Sequence, residues 1–173
     1  MRSIHLLAEV PTEDADLVFK HITDFARYPA VSPDVRSVAT HPASAAGREQ
    51  HTDWEVNFRR GIMRWTEWED IDHERLRVEF SQIDGDFDDF RGSWQLTPTA
   101  SGCGVELRVT YDFGIESLAG IMDPLAERVI KRAICAVLAD VVGQVTVLEG
   151  GAALTDLGEL PDGSGIHIMA GDH

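Results

Sequence analysis

Apolar residues recur at every second position in several stretches of the chain. Thr52, Trp54, Val56 and Phe58 alternate with Asp53, Glu55 and Asn57, and Leu76, Val78 and Phe80 alternate with Arg75, Arg77 and Glu79. Phe90, Gly92, Trp94 and Leu96 follow the same rule, and Val105, Leu107, Val109, Tyr111 and Phe113 give its cleanest example. A period of two places such residues on one face of a β-strand. Strands are therefore expected over residues 3–10, 35–40, 49–58, 62–69, 75–83, 90–97 and 105–113. Short turns, such as Arg59-Arg60-Gly61 and Asp84-Gly85-Asp86, join most of them. Parallel neighbours would need crossover helices, for which there is no room, so the meander is antiparallel.

Two stretches carry the helical period instead. Thr12 reads as an N-cap, with Glu13, Asp14 and Asp16 in the first turn, where the helix dipole favours acids. Leu17, Phe19, Ile22 and Phe25 then space an apolar face to about residue 27, and Pro29 and Pro33 stop it. From residue 117 to about 148 one long helix is expected, with Pro124 early in it and a wide stripe through Val129, Ile130, Ala133, Ile134 and Val137. Gly150-Gly151 would end it. Residues 151–173 are rich in Gly and Asp and read as a flexible tail or lid. The fold class that buries both apolar faces is α+β: a curved seven-stranded antiparallel sheet wrapped around a long C-terminal helix, over residues 1–150. A sheet offers more apolar lining than one helix can cover, so an internal cavity is expected between them.

Composition narrows the partners. The 173 residues suit one domain. Thirty acidic residues against 15 basic ones give a net charge of −15, which disfavours nucleic acid and anionic membrane surfaces. No apolar run is long enough for a signal peptide or a membrane span, so the expected location is cytoplasmic, without membrane insertion. Cys103 and Cys135 lack metal-site spacing and read as structural thiols, and the seven histidines are scattered. With no nucleotide-binding or nucleophile-elbow motif, no cofactor and no metal are expected.

The candidate chemistry lies in the strand region, which holds all four tryptophans. Trp54, Phe58, Met63, Trp65, Phe80, Phe87, Phe90, Trp94 and Tyr111, with Tyr28 in the connector, are the candidate lining of a pocket for a planar or hydrophobic molecule. Glu67 and Glu69 are two apart on one strand and share a face with Met63 and Trp65. If that face is inward, two carboxyls enter an apolar pocket, and burial with mutual repulsion raises at least one pKa into the range of a proton carrier. If Ile62, Arg64, Thr66 and Trp68 face inward instead, both glutamates are surface charges, the commoner state of a strand carboxylate. Arg64, Arg59 and Arg91 are candidates to pair with an acidic ligand or with the glutamates.

In its order of elements the chain resembles the START-like, helix-grip superfamily, and within it the polyketide cyclase/aromatase and coenzyme-Q-binding group. The resemblance covers about residues 1–148. It rests on the segment from Glu9-Val10-Pro11 to Ile22-Thr23-Asp24-Phe25-Ala26-Arg27-Tyr28-Pro29, on Trp65-Thr66-Glu67-Trp68, and on Phe87 and Phe90 leading to Trp94. It implies a cofactor-independent cyclase, aromatase or dehydratase of antibiotic-type biosynthesis, with a polyketide-like small molecule as substrate; the candidate catalytic groups remain those read from the strand itself, Glu67, Glu69 and Arg64. An acyl carrier protein is the candidate protein partner, and the assembly is a monomer or a homodimer. The alternatives are a carrier for a quinone, lipid or aromatic metabolite, and an interaction module that uses the fold as a scaffold. Relatives of the aromatase type carry an arginine that polarises the substrate carbonyl. Glu69 stands in that place here, so the resemblance does not bring that electrophile with it.

Overall fold

The alternating segments pair with their neighbours in sequence, as hairpins joined by short turns must. The structure, a computed structural model, describes residues 1–45, 47–58, 61–154 and 165–169. Its strands are β1 (Arg2–Val10), β2 (Val35–Pro42), β3 (Glu49–Phe58), β4 (Gly61–Asp72), β5 (Arg77–Gly85), β6 (Asp89–Thr99), β7 (Gly102–Asp112), β8 (Gln144–Glu149) and β9 (Gly165–Ile168). They form one sheet in the order β2-β3-β4-β5-β6-β7-β1-β8-β9. Every pairing is antiparallel except β8 with β9.

The helices are α1 (Ala15–Thr23), the single-turn α2 (Tyr28–Val31) and α3 (Glu116–Val142). The inner face of the sheet and α3 share one core. Leu6, Val78, Leu96 and Leu107 from the sheet and Ala133, Cys135 and Leu138 from α3 are buried in it together. Two ion pairs fasten α3 to the α1–β2 connector. Arg132 grips Asp34 through two hydrogen bonds of 2.7 and 2.6 Å, and Arg27 meets Asp140 at 3.0 Å.

Several expectations need correction. The sheet has nine strands, not seven, because the long helix stops at Val142 rather than near residue 148. Gly143 takes a left-handed conformation (φ +75°) and its N–H closes the helix on the Ala139 carbonyl at 2.7 Å. The β-branched run that follows then leaves the helix and pairs with β1. The tail is also partly built in: residues 151–154 form a 3₁₀ turn with Leu154 fully buried, and β9 joins the sheet edge. Residues 155–164 and 170–173 of the expected tail lie outside the described residues, as do Arg59 and Arg60 of the expected β3–β4 turn. Asp14, not Thr12, caps α1, its carboxylate accepting from the Leu17 N–H at 3.0 Å. Leu17 is consequently exposed, and the buried face is Ala15, Val18, Phe19 and Ile22.

Candidate functional site

β4 decides which carboxylates enter the molecule. Met63, Glu67, Glu69 and Ile71 are buried, Trp65 is partly buried, and Arg64 between them is exposed. The inward face is therefore the one that carries both glutamates. In register, Trp54 of β3 lies opposite Trp65, Thr52 opposite Glu67 and Gln50 opposite Glu69. On the other side the β4–β5 ladder shifts between Thr66 and Glu67, so that Thr66 pairs with Asp84 and Glu67 with Gln82. The intervening Ile83 is exposed, as the extra residue of a bulge is, and the irregularity sits beside Glu67.

This face borders a cavity of about 100 Å³ between the sheet and α3. Trp54 and Trp65, stacked with ring centroids 6.0 Å apart, form one wall. Phe80, Phe90 and Trp94 form a second, and Val129, Ile130, Ala133 and Ile134 of α3 the third. Gly92 makes room for the second wall, because the Phe80 ring lies over its backbone, where a Cβ would come within 2.6 Å of it. Phe25 and Tyr28 of the connector complete the lining. The Tyr28 hydroxyl is committed, donating to the Ile22 carbonyl at 2.6 Å, and burial pushes its pKa well above the usual phenol range. None of the described lining residues is basic.

One ionisable carboxyl, that of Glu67, opens on this apolar space. Its Oε2 accepts from the Trp65 indole N–H at 2.9 Å. The Trp54 N–H faces the same carboxyl. It is buried yet lacks a hydrogen-bond partner. Behind Glu67 stands Glu69, fully buried, with Oε2 accepting from the Thr52 hydroxyl at 2.8 Å and Oε1 unpartnered. Burial pushes the Glu67 pKa up, and the hydrogen bonds with Glu69 and Trp65, with the nearby Trp54 N–H dipole, offset only part of that. Burial, and then the charge of Glu67, push Glu69 up to about 9. Two carboxyls that close in an apolar site cannot both ionise cheaply, so the pair retains a shared proton at neutral pH. An orphaned oxygen beside a second carboxyl is where that proton is expected.

The other candidates separate by face. Arg64 and Arg91 point outward, to Glu55 at 3.0 Å and to Asp89 at 2.7 Å, and do not reach the cavity. Their alternation with inward residues requires it. Arg59 lies outside the described residues. Phe58, Met63, Phe87 and Tyr111 are buried but stand behind the lining. Phe87 stacks on Phe113 at 5.2 Å and packs against Phe90 at 4.7 Å, backing the second wall. Tyr111 donates to the Asp123 carbonyl at 3.0 Å and anchors α3. Among lining residues left out of the sequence-based set, those of α3 were detectable as its apolar stripe and Phe25 as the end of the α1 pattern.

A family model described as polyketide cyclase/dehydrase and lipid transport matches residues 13–138. The chain belongs to this family. No curated protein matches it by sequence. Among solved structures, TTHA0849 of Thermus thermophilus is 23% identical with a TM-score of 0.71, over 82% of this chain and 97% of its own. The Zhui aromatase/cyclase of a Streptomyces species is 18% identical with a TM-score of 0.65, covering 81% of this chain and 93% of its own. A START superfamily protein of Mycobacterium smegmatis is 13% identical with a TM-score of 0.70, over 80% and 96%. At these identities the likeness concerns the fold, which is the helix-grip arrangement of a large antiparallel sheet and a long helix. Among the described residues, no helix is long and apolar enough to cross a membrane.

Proposed function

We propose that this member of the polyketide cyclase/dehydrase family is a cofactor-independent enzyme that cyclises or dehydrates a polyketide-type carbonyl compound held in the cavity. The supporting observation is the Glu67 carboxyl on an otherwise apolar wall, backed by a second buried carboxyl. A pair that holds one proton offers a base and an acid together. Glu67 as carboxylate takes a proton from a carbon next to a carbonyl, leaving an enolate. The enolate carbon attacks a second carbonyl carbon, forming a C–C bond and an alkoxide. The proton returns to that alkoxide. In the dehydration that follows, Glu67 takes a second proton from the carbon next to the carbonyl, the hydroxyl leaves as water on accepting the proton held by the carboxyl pair, and a C=C bond remains. The aromatic walls fix the reacting carbons against each other, a contribution as large as that of the acid or base.

The competing reading is a carrier for a hydrophobic molecule, favoured by the uniformly apolar remainder of the lining. The two readings part on proton transfer. In deuterated water the wild-type protein is expected to exchange the α-protons of cyclohexanone faster than buffer does, as followed by proton NMR. Glu67→Gln is expected to reduce that rate at least about 100-fold, the scale of a lost acid–base group, while still binding the ketone. Binding without exchange by the wild type would establish the carrier instead.

A further inference from the structure

The size and polarity of the cavity narrow its occupant beyond the family description. About 100 Å³ is less than the roughly 150 Å³ of an engineered apolar cavity that binds benzene, and well below the about 300–1,000 Å³ of most ligand pockets. A space of that size suits a single six-membered ring better than a fused pair. Its charge pattern is equally selective. The described lining includes no basic residue, and its only carboxyl already repels a second buried one. A carboxylate or phosphate on the ligand would enter with no counter-charge, and a buried unpaired charge is strongly disfavoured.

The polar contacts available are few and specific. The Tyr28 hydroxyl is spent on the Ile22 carbonyl. The Trp65 N–H is spent on Glu67 Oε2. The Trp54 N–H, on a residue only 7% exposed, is a donor without an acceptor. Orphaned buried donors are rare in folded proteins, and one on a cavity wall beside a carboxyl is explained if the ligand supplies the acceptor. The ligand atom that suits both groups is one oxygen that accepts from the indole N–H and either donates to the Glu67 carboxylate, as a phenol does, or accepts from the carboxyl when it carries the pair's proton, as a ketone does.

We propose that the cavity selects an uncharged ligand moiety of one six-membered ring bearing a carbonyl or phenolic oxygen, and that Trp54 and Glu67 hold that oxygen between them. This rests on the reading of the cavity as the reaction site and deepens it: the ring that is closed or dehydrated there is a single one, and any remaining chain lies outside. In this scheme Trp54 orients the reacting oxygen while Glu67 moves the proton.

The test is a binding series at neutral pH, by calorimetry or ligand-observed NMR, with phenol, cyclohexanone, toluene, benzoate and naphthol as probes. Phenol and cyclohexanone are expected to bind, and benzoate and naphthol to bind at least about tenfold more weakly than phenol. Trp54→Phe retains an aromatic ring but lacks the N–H. It is expected to weaken phenol about three- to tenfold, the worth of one hydrogen bond, and to leave toluene unchanged, which also reports that the variant is folded. Naphthol or benzoate binding as tightly as phenol would overturn the inference and leave the cavity's role intact. So would equal phenol affinity in Trp54→Phe. If no probe binds, the cavity is not a ligand site, and both the inference and the proposed function fall.

Discussion

Replacing Glu69 by glutamine isolates the cost of keeping two carboxyls together. Glutamine has nearly the same shape, and its amide oxygen can still accept from the Thr52 hydroxyl, which lies 2.8 Å from Glu69 Oε2. Its amide nitrogen can donate to Glu67, so the network survives without the second titration. The folded protein holds the Glu69 proton up to about pH 9, against 4.5 for the ordinary carboxyl. Since the folded-state pKa is the higher one, the stabilisation is complete below about pH 4.5 and is lost as pH rises toward 9. Each proton retained only by the folded state makes stability fall by about 1.4 kcal/mol per pH unit. From about pH 6 to pH 8 the wild type should therefore lose up to about 3 kcal/mol more than Glu69→Gln, an upper bound because water entry relaxes buried charges. Urea midpoints at constant ionic strength across that range measure the difference. Taking wild type minus variant cancels the other shifted groups, such as Asp72 and Glu106, whose pKa values are lowered by their partners. Parallel stability curves for the two proteins would refute the shared-proton pair.

Three further substitutions probe the frame around the cavity. Gly92→Ala places a Cβ 2.3 Å from the Arg108 carbonyl oxygen and 2.6 Å from the Phe80 ring, so a loss of about 2–4 kcal/mol is expected in denaturant unfolding. Arg132→Ala leaves the half-buried Asp34 without its two hydrogen bonds, and a loss of about 1–3 kcal/mol should register as a lower Tm. Lys131 is buried on α3, bound to Glu127 at 2.5 Å and to the Gly150 carbonyl at 2.6 Å. Lys131→Met should loosen the segment after β8, seen as faster amide exchange in β9 than in β7.

The alternation made the central strands readable because each has one face in a core and one in water. β3 shows this in full, with Thr52, Trp54, Val56 and Phe58 all buried. β4 resisted the same reading because its inward face mixes Met63 and Trp65 with two acids, while its outward face carries Trp68 and Ile62. Hydropathy alone cannot orient such a strand. Register can: opposite the apolar Trp54 face of β3 lie Trp65, Glu67 and their face-mates. The same step removes Arg64, since a residue between two inward ones points out. The end of α3 was illegible for a different reason. Val141, Val145 and Leu148 fit a helical period, and Val145 and Val147 fit a strand equally well. Gly143 breaks the tie, and β1 offers the free edge that β8 takes. The pairing of β9 with β8 joins segments separated by a turn and by residues with no periodic signal, so nothing local could announce it.

The pair of glutamates is the least economical feature of the molecule. Its surroundings offer Thr52 as a hydroxyl partner and Trp65 as an N–H partner, which a glutamine could use equally well without holding a proton against its ordinary pKa. A cavity meant only to hold a hydrophobic molecule gains nothing from Glu67 on its wall, because the apolar lining already provides the affinity. Nor does the fold gain, since the pair weakens it as pH rises. What a raised, shared proton does provide is an acid and a base at neutral pH at one point of a water-poor site. The bulge in β5 beside Glu67 and the unpaired N–H of Trp54 lie at that same point. Three departures from ordinary packing converge at one point of the cavity wall, which the proposed acid–base role of Glu67 calls for and storage of an apolar molecule does not.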